Sequence, residues 1–86
     1  MAVITNVDNS AWSAAVENTN DLLVQCVEGE IVVATTAAAP AGATDGVVLT
    51  TLQALVIPAG GVMRYRARGS VGATVYYNEF ESGPAT

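Results

Sequence analysis

The side chains that could do chemistry are concentrated in one short stretch of the chain, from Val62 to Arg68. Arg64, Arg66 and Arg68 are its only cationic side chains, because the sequence contains no lysine and no histidine. Guanidinium groups spaced two residues apart can bind carboxylates or phosphates. In a β-strand these three side chains leave from one face, and the residues between them leave from the other. The alternation therefore predicts a strand with one cationic face and one apolar face.

The charge balance limits what this cationic face can bind. Eight carboxylates against three arginines give a net charge of −5, which repels a phosphate backbone, so we do not expect nucleic-acid binding. Two alternatives remain open. The arginines could pair with acidic groups of a neighbouring protein subunit. They could instead pair within the chain, with Glu79 or Glu81, or be solvated.

Catalytic and metal-binding sets cannot be assembled from this composition. Without histidine there is no Ser-His-Asp, Cys-His or His/Cys zinc arrangement. The single cysteine, Cys26, shares a predicted strand face with Leu22 and Val24, which indicates a small buried apolar residue and not a reactive thiol. The spacing of the carboxylates matches no calcium loop. We therefore expect no enzyme activity, no cofactor and no metal.

The length and composition predict a single β domain over residues 1–86. Only 13% of the residues are charged and 51% are hydrophobic, against about 25% charged in an ordinary domain. The apolar runs are too short to cross a bilayer, and no charged segment precedes an apolar core as in a signal peptide. Small size and low charge favour packing against other copies of the chain or another protein over a monomer coated in polar residues.

Turn signals recur roughly every 8–12 residues and separate about six to seven β-rich segments. The clearest segments are 22–27, 30–36, 47–49, 52–57, 62–68 and 73–80. The two-residue loop Glu28-Gly29 predicts a hairpin with positive φ at Gly29. The turn at 69–72 predicts a second hairpin, in which an arginine faces a tyrosine. The pattern as a whole predicts an all-β fold, a small antiparallel β-sandwich or barrel.

The two ends of the chain are less regular. Residues 1–10 predict a short β arm, which either docks on a neighbouring subunit as part of an N-terminal arm over 1–20 or pairs as an ordinary edge strand. Trp12 stands among small residues and is predicted to be a core or interface anchor. A helical turn over 10–16 stays open, because alanine is a good helix former. Residues 81–86 are predicted to be a flexible tail.

The second half of the chain has a recognisable order of segments. A strand ending I-V-V-A-T-T precedes an alanine–proline loop at 37–42, and A-L-V-I-P-A-G-G at 54–61 precedes the aromatic–arginine strand and a closing strand at 73–77. This order resembles small virion proteins of tailed bacteriophages, in which a strand ending I-P-A-G precedes a strand with alternating aromatic and basic residues. The resemblance extends roughly from Leu22 to Phe80.

The resemblance implies a decoration or cement protein that is made in the host cytoplasm and located on the capsid surface of the virion. It would bind the major capsid protein, often as a homo-oligomer (a trimer or dimer), and stabilise the shell against the pressure of the packaged DNA. We expect Arg64, Arg66 and Arg68 to align the two proteins at this interface through polar contacts. Trp12 and Tyr76 are expected to anchor the interface through apolar contacts. No membrane partner is expected.

Two alternatives remain. The first is a tail, collar or fibre component of the same kind of particle. The second is a small carbohydrate- or receptor-binding β module, in which aromatic side chains stack on sugar rings: Trp12, Tyr65, Tyr76 and Tyr77.

Overall fold

The structure, a computed structural model, describes residues 2–42, 45–69 and 72–80, which form eight β-strands. The strands are β1 (Ala2–Val7), β2 (Val16–Glu17), β3 (Asp21–Glu28), β4 (Glu30–Ala34), β5 (Val47–Thr50), β6 (Ala54–Ile57), β7 (Val62–Ala67) and β8 (Ala73–Phe80). The segments predicted from residue 22 onward coincide with β3 to β8. The number of strands is larger than predicted, because β1 and the two-residue β2 add to them.

The strands form two four-stranded sheets that pack face to face. The first sheet has the order β1-β8-β3-β6, the second has the order β2-β7-β4-β5, and all the strand pairs are antiparallel. The chain changes sheet at every connection except the one from β4 to β5. These two strand orders define an eight-stranded jelly roll. The prediction of an all-β antiparallel sandwich is confirmed.

One shared apolar layer between the sheets makes the core. In β3 the buried residues alternate, and Leu22, Val24 and Cys26 face the second sheet. Ile31 of β4 and Met63 of β7 meet them from the other side, each fully buried. The prediction that Cys26 is a buried apolar residue is confirmed, and burial raises the pKa of its thiol. A strand with one face in this layer buries every second side chain, which explains the period-two pattern of the sequence.

The two hairpin predictions are wrong, although the turn at Gly29 has the predicted positive φ of 79°. Strand β3 pairs with β6 and β8, whereas β4 pairs with β5 and β7, so the Gly29 turn passes from one sheet to the other. The ladder between β3 and β8 is irregular between Cys26 and Glu28, where a bulge bends the strand out of the first sheet. A bent strand followed by a tight turn places β4 on the opposite side of the core.

The predicted arginine–tyrosine hairpin fails for the same reason. Strands β7 and β8 belong to different sheets, and Arg66 stands opposite Val32 of β4 instead of a tyrosine. Part of the turn predicted at 69–72 lies outside the described residues, as does the tail predicted over 81–86.

The N-terminal segment pairs within its own chain. Strand β1 is an edge strand against β8, so the described structure has the ordinary edge pairing that was one of the two alternatives. The chain then crosses from the first sheet to β2 in the second, and the helical turn that stayed open over 10–16 is not formed. A helix that could span the bilayer is not found anywhere in the described residues.

Asn18 joins the connection between β2 and β3 to the turn between β6 and β7. Its side chain is 3% exposed, and its Nδ2 donates to the carbonyl oxygens of Pro58 at 2.8 Å and Ile57 at 3.3 Å. Its backbone carbonyl also accepts a hydrogen bond from the Gly60 N–H at 2.9 Å. One buried amide therefore holds two loops that are far apart in sequence.

We expect Asn18→Ala to lower the free energy of unfolding by about 1–3 kcal/mol, because buried carbonyl groups lose their donor. In a domain of this size that corresponds to a fall in Tm of roughly 4–8 °C per kcal/mol. Thermal unfolding followed by circular dichroism measures it. The control is Asn20→Ala at an exposed neighbouring position, and an equal loss in both variants would contradict the assigned role.

Candidate functional site

Strand β7 separates its two kinds of side chain as the sequence predicts. Met63 and Ala67 are buried in the core, at 0% and 3% exposure. The alternating arginines lie on the outer face of the second sheet, where Arg64 stands opposite Ala34 and Arg66 opposite Val32. These two β4 residues are buried as well, although they do not belong to the core between the sheets. The outer face of the second sheet is therefore covered at these two positions, beside Arg64 and Arg66.

Residues 8–13 lie along β7. We call them the crossing segment because they run from the first sheet to the second. The Ser13 N–H donates to the Tyr65 carbonyl at 2.9 Å, and the Tyr65 N–H donates to Ser13 Oγ at 3.0 Å. Nearer the end of β7, the Ala67 N–H donates to the Asp8 carbonyl at 2.9 Å. The crossing segment thus satisfies the backbone of β7 where the two-residue β2 does not reach.

The guanidinium groups of Arg64 and Arg66 bind the crossing segment. Arg64 Nη1 donates to the Ser13 carbonyl at 2.9 Å, and its Nη2 donates to the Ala37 carbonyl at 2.7 Å. Arg66 Nη2 donates to the Asn9 carbonyl, and the guanidinium carbon lies 5.6 Å from the centre of the Trp12 ring, a cation–π distance. Both arginines therefore bind backbone and aromatic groups of their own chain.

Arg68 makes an ion pair with a different carboxylate from the ones expected. Within residues 2–42, 45–69 and 72–80 the one ion pair joins Arg68 Nη1 to Glu30 Oε1 at 3.3 Å, with side chains 48% and 44% exposed. Glu79 does not pair with an arginine there, and Glu81 lies outside the described residues. The contribution of such an exposed pair to stability is small.

Glu79 caps the connection between β2 and β3. Its Oε1 accepts hydrogen bonds from the backbone N–H groups of Asn20 at 3.0 Å and Thr19 at 2.7 Å. These bonds favour the ionised form, so the N–H of Asn20 and then that of Thr19 lower the pKa of the Glu79 carboxyl below its usual 4.5. Glu79 therefore acts as a local structural carboxylate.

The outer face of the first sheet is different, because no other segment of the described chain pairs across it. We call it the open face. From the strand registers its outward side chains are Val3, Asp21, Leu23, Gln25, Ala54, Val56, Tyr76, Asn78 and Phe80. Asp21 is the only carboxylate among these. Five of the six large apolar side chains that the described residues expose lie on or beside this face: Val3 (55%), Val27 (38%), Leu52 (68%), Val56 (48%) and Phe80 (37%).

The structure does not bring the predicted interface residues together. Tyr76 lies in the middle of the open face, between Val3 of β1 and Gln25 of β3. Trp12 lies with Arg66 on the second sheet, on the other side of the sandwich. Sequence reasoning missed the valines of the open face. The sequence did indicate an apolar outer face, because the positions of β3 and β6 that alternate with the core residues carry no lysine, arginine or glutamate.

The aromatic residues suggested for sugar stacking are also dispersed. Tyr65 and Tyr77 pack against the core, with ring centroids 6.1 Å apart, and burial raises the pKa of the Tyr65 hydroxyl. Trp12 and Tyr65 line a cavity of about 230 Å³ beside β1, whereas Tyr76 belongs to the open face. No described surface therefore presents all four rings.

Across 2–42, 45–69 and 72–80, no three histidine, cysteine or carboxylate side chains lie close enough together to hold a metal ion.

Comparison with known proteins gives a structural match and no sequence match. No protein-family profile and no curated protein sequence matches the chain. Among solved structures it is similar to a cupin superfamily protein from Desulfitobacterium hafniense DCB-2, with a TM-score of 0.62 and 15% identity. The match covers 92% of this chain, which spans 64% of the length of that protein. At this identity the likeness shows the fold alone, and it agrees with the jelly-roll order of the strands.

The contacts of Arg66 with Asn9 and Trp12, which we call the Arg66 clamp, are expected to stabilise the fold. Arg66→Ala removes a charged hydrogen bond to the Asn9 carbonyl and the contact with Trp12, so we expect a loss of about 1–3 kcal/mol in the free energy of unfolding. Urea unfolding followed by Trp12 fluorescence measures it. Arg68→Ala is the matched control and should cost less than about 1 kcal/mol. Equal effects in the two variants would contradict the clamp.

The Glu79 cap predicts a pH dependence of stability. Because the folded-state pKa lies below the unfolded value, the stabilisation is present above the usual pKa of 4.5 and is lost as the pH falls through the folded-state value. Unfolding free energies measured between about pH 6 and about pH 3 should therefore fall less steeply for Glu79→Gln than for the wild type. Parallel curves for the two proteins would show that the carboxylate makes no such contribution.

Proposed function

We propose that this chain is a non-enzymatic structural protein of a bacteriophage virion, which binds and stabilises the capsid as a decoration or cement protein. The observation that carries the proposal is the open face, which exposes valine and aromatic side chains around an uncharged centre. Contiguous exposed apolar surface of this kind is typical of protein–protein contact sites. The resemblance of residues 22–80 to small virion proteins supports a bacteriophage particle as the setting.

The charges around the open face favour the capsid protein over a second copy of the chain. Asp21 lies at one end of the paired strands β3 and β8, and Glu28 lies at the other end. No arginine lies on this face, since all three belong to β7 and its C-terminal end in the second sheet. Two copies meeting through this face would oppose carboxylate to carboxylate. The partner surface that fits is apolar at its centre and basic at its margin.

The size of the open face indicates how the protein would work. Four strands about 4.8 Å apart, each up to 8 residues long, give a projected area of about 500 Å². A standard stable interface buries about 800 Å² on each partner. One such contact is therefore weak, and reinforcement of a shell would come from many copies on the lattice. The predicted dimer or trimer, or a protomer that bridges two capsid subunits, would strengthen attachment through avidity.

The residues expected at the interface have separate roles in this proposal. Tyr76 lies at the centre of the docking surface. Arg64 and Arg66 bind the crossing segment of their own chain. Arg68 is about half exposed and so remains available to a neighbouring subunit. Contact between the arginines and another subunit stays a prediction.

The alternatives share this fold. Jelly rolls serve viral coat proteins, lectins and cupins, so the architecture alone does not choose among them. A tail, collar or fibre component would use the same open face at another place in the particle. The dispersed aromatic rings offer no shared platform for sugar stacking, and the structure adds no support for the carbohydrate module.

We expect Val56→Glu to weaken capsid binding by at least about tenfold, because it places a charge within a desolvated contact. Co-sedimentation with empty capsids, assembled from the major capsid protein of the same genome, measures the affinity. Val47→Glu is the matched control, since Val47 is 53% exposed and Val56 is 48% exposed, but Val47 lies on β5 of the other sheet. Thermal unfolding establishes that both variants are folded.

Two results would contradict the proposal. One is a wild-type protein that does not sediment with these capsids. The other is equal binding by Val56→Glu and the wild type, which would remove the open face from the contact. Antibody labelling of tails instead of capsids in purified particles would favour the tail component.

A further inference from the structure

The connection between β5 and β6 contains a residue in an unusual backbone conformation. Leu52 has a φ of +70°, in the left-handed region, and its side chain is 68% exposed. Glycine and asparagine adopt this region readily, whereas it is unfavourable for other L-residues because Cβ comes too close to the following carbonyl oxygen. An exposed leucine with positive φ is therefore strained without any visible gain in packing.

Hydrogen bonds on both sides hold this conformation in place. The Leu52 N–H donates to the Cys26 carbonyl at 2.6 Å, and the Cys26 N–H donates to the Gln53 carbonyl at 2.9 Å. The Leu52 carbonyl accepts from Gln25 Nε2 at 3.2 Å. Across the turn, the Gln53 N–H donates to the Thr50 carbonyl and the Thr50 N–H donates to Gln53 Oε1, both at 2.9 Å. The turn is thus fixed by its neighbours, and Leu52 is presented rigidly.

The fold would be served better by another residue at this position. A leucine side chain in water does not stabilise the fold, because its apolar surface contributes only when it is buried. Glycine would remove the backbone strain. Strain that the surrounding structure maintains, at a residue with no role in the core, points to a function for the side chain.

The position of Leu52 suggests what that function is. It stands two residues before Ala54, the first outward position of β6, and its backbone bonds to Cys26, the residue before Val27 on β3. Val27 is 38% exposed, and Glu28 follows it. Leu52 therefore lies at the end of the open face, with an apolar neighbour and a carboxylate beside it.

We propose that Leu52 is the anchor of the open face, a rigidly presented side chain that inserts into an apolar pocket of leucine size on the capsid protein. The assignment rests on the proposed docking through the open face. A basic group near the rim of that pocket would complement Glu28. Anchors of this kind carry most of the energy of a small interface, and a fixed conformation lowers the entropy lost on binding.

The test compares Leu52→Gly and Leu52→Asn with the wild type in thermal unfolding and in co-sedimentation with empty capsids of the same genome. Both substitutes tolerate positive φ, so we expect Tm to be unchanged or higher in both variants. We expect capsid binding to fall by at least about tenfold in each. Leu52→Met, which keeps a long apolar side chain, should retain more binding than either.

The control is Val47→Ala, which truncates another exposed apolar side chain, 53% exposed and on the second sheet, and should keep wild-type binding. Unchanged binding by Leu52→Gly and Leu52→Asn, with a wild type that binds, would overturn the anchor while leaving the proposed function standing. A wild type that does not bind would overturn the proposed function and the anchor with it. A lower Tm in both variants would assign Leu52 to the fold, and a loss of solution mass by light scattering would assign it to self-association. Either result would overturn the anchor.

Discussion

The structure depends on burial of one shared apolar layer between two sheets, while the chain changes sheet at nearly every connection. Each long strand contributes alternate side chains to this layer, among them Val24, Ile31, Met63 and Val75, all fully buried. The layer is thin, because the chain has only 86 residues, and a small domain buries a limited share of its surface. Connections such as the Asn18 amide therefore carry a larger part of the stability than they would in a bigger domain.

The two outer faces of the sandwich have opposite characters, and one interaction explains the difference. The guanidinium groups of Arg64 and Arg66 bind carbonyl oxygens of the crossing segment and Ala37. These contacts lie on the second sheet. All the cationic charge is thereby concentrated on one side. The open face is left without cations, uncharged at its centre and bordered by carboxylates. The exposed apolar side chains of the open face are the basis of the decoration proposal.

Leu52 has a backbone conformation that is unfavourable for leucine. Elsewhere the positive φ angles fall mostly on glycines such as Gly29 and Gly60, where they cost nothing. At Leu52 a strained backbone supports an exposed leucine at the end of the open face. Strain at one surface residue in an otherwise consistent sequence is expected where function opposes folding. Its position beside Val27 and Glu28 links it to the docking proposal.

The sequence by itself determined the local features of this protein. A side-chain period of two placed the arginines on one face of β7 and Cys26 in the core, and glycine at position 29 predicted the positive φ there, because these properties depend on neighbouring residues alone. Only the tertiary structure decided which strands pair, and both predicted hairpins were wrong. Backbone ladders carry no side-chain code, so the bulge after Cys26 and the shared core sent successive strands to different sheets. The same long-range packing decided that the arginine face is covered and the valine face is open.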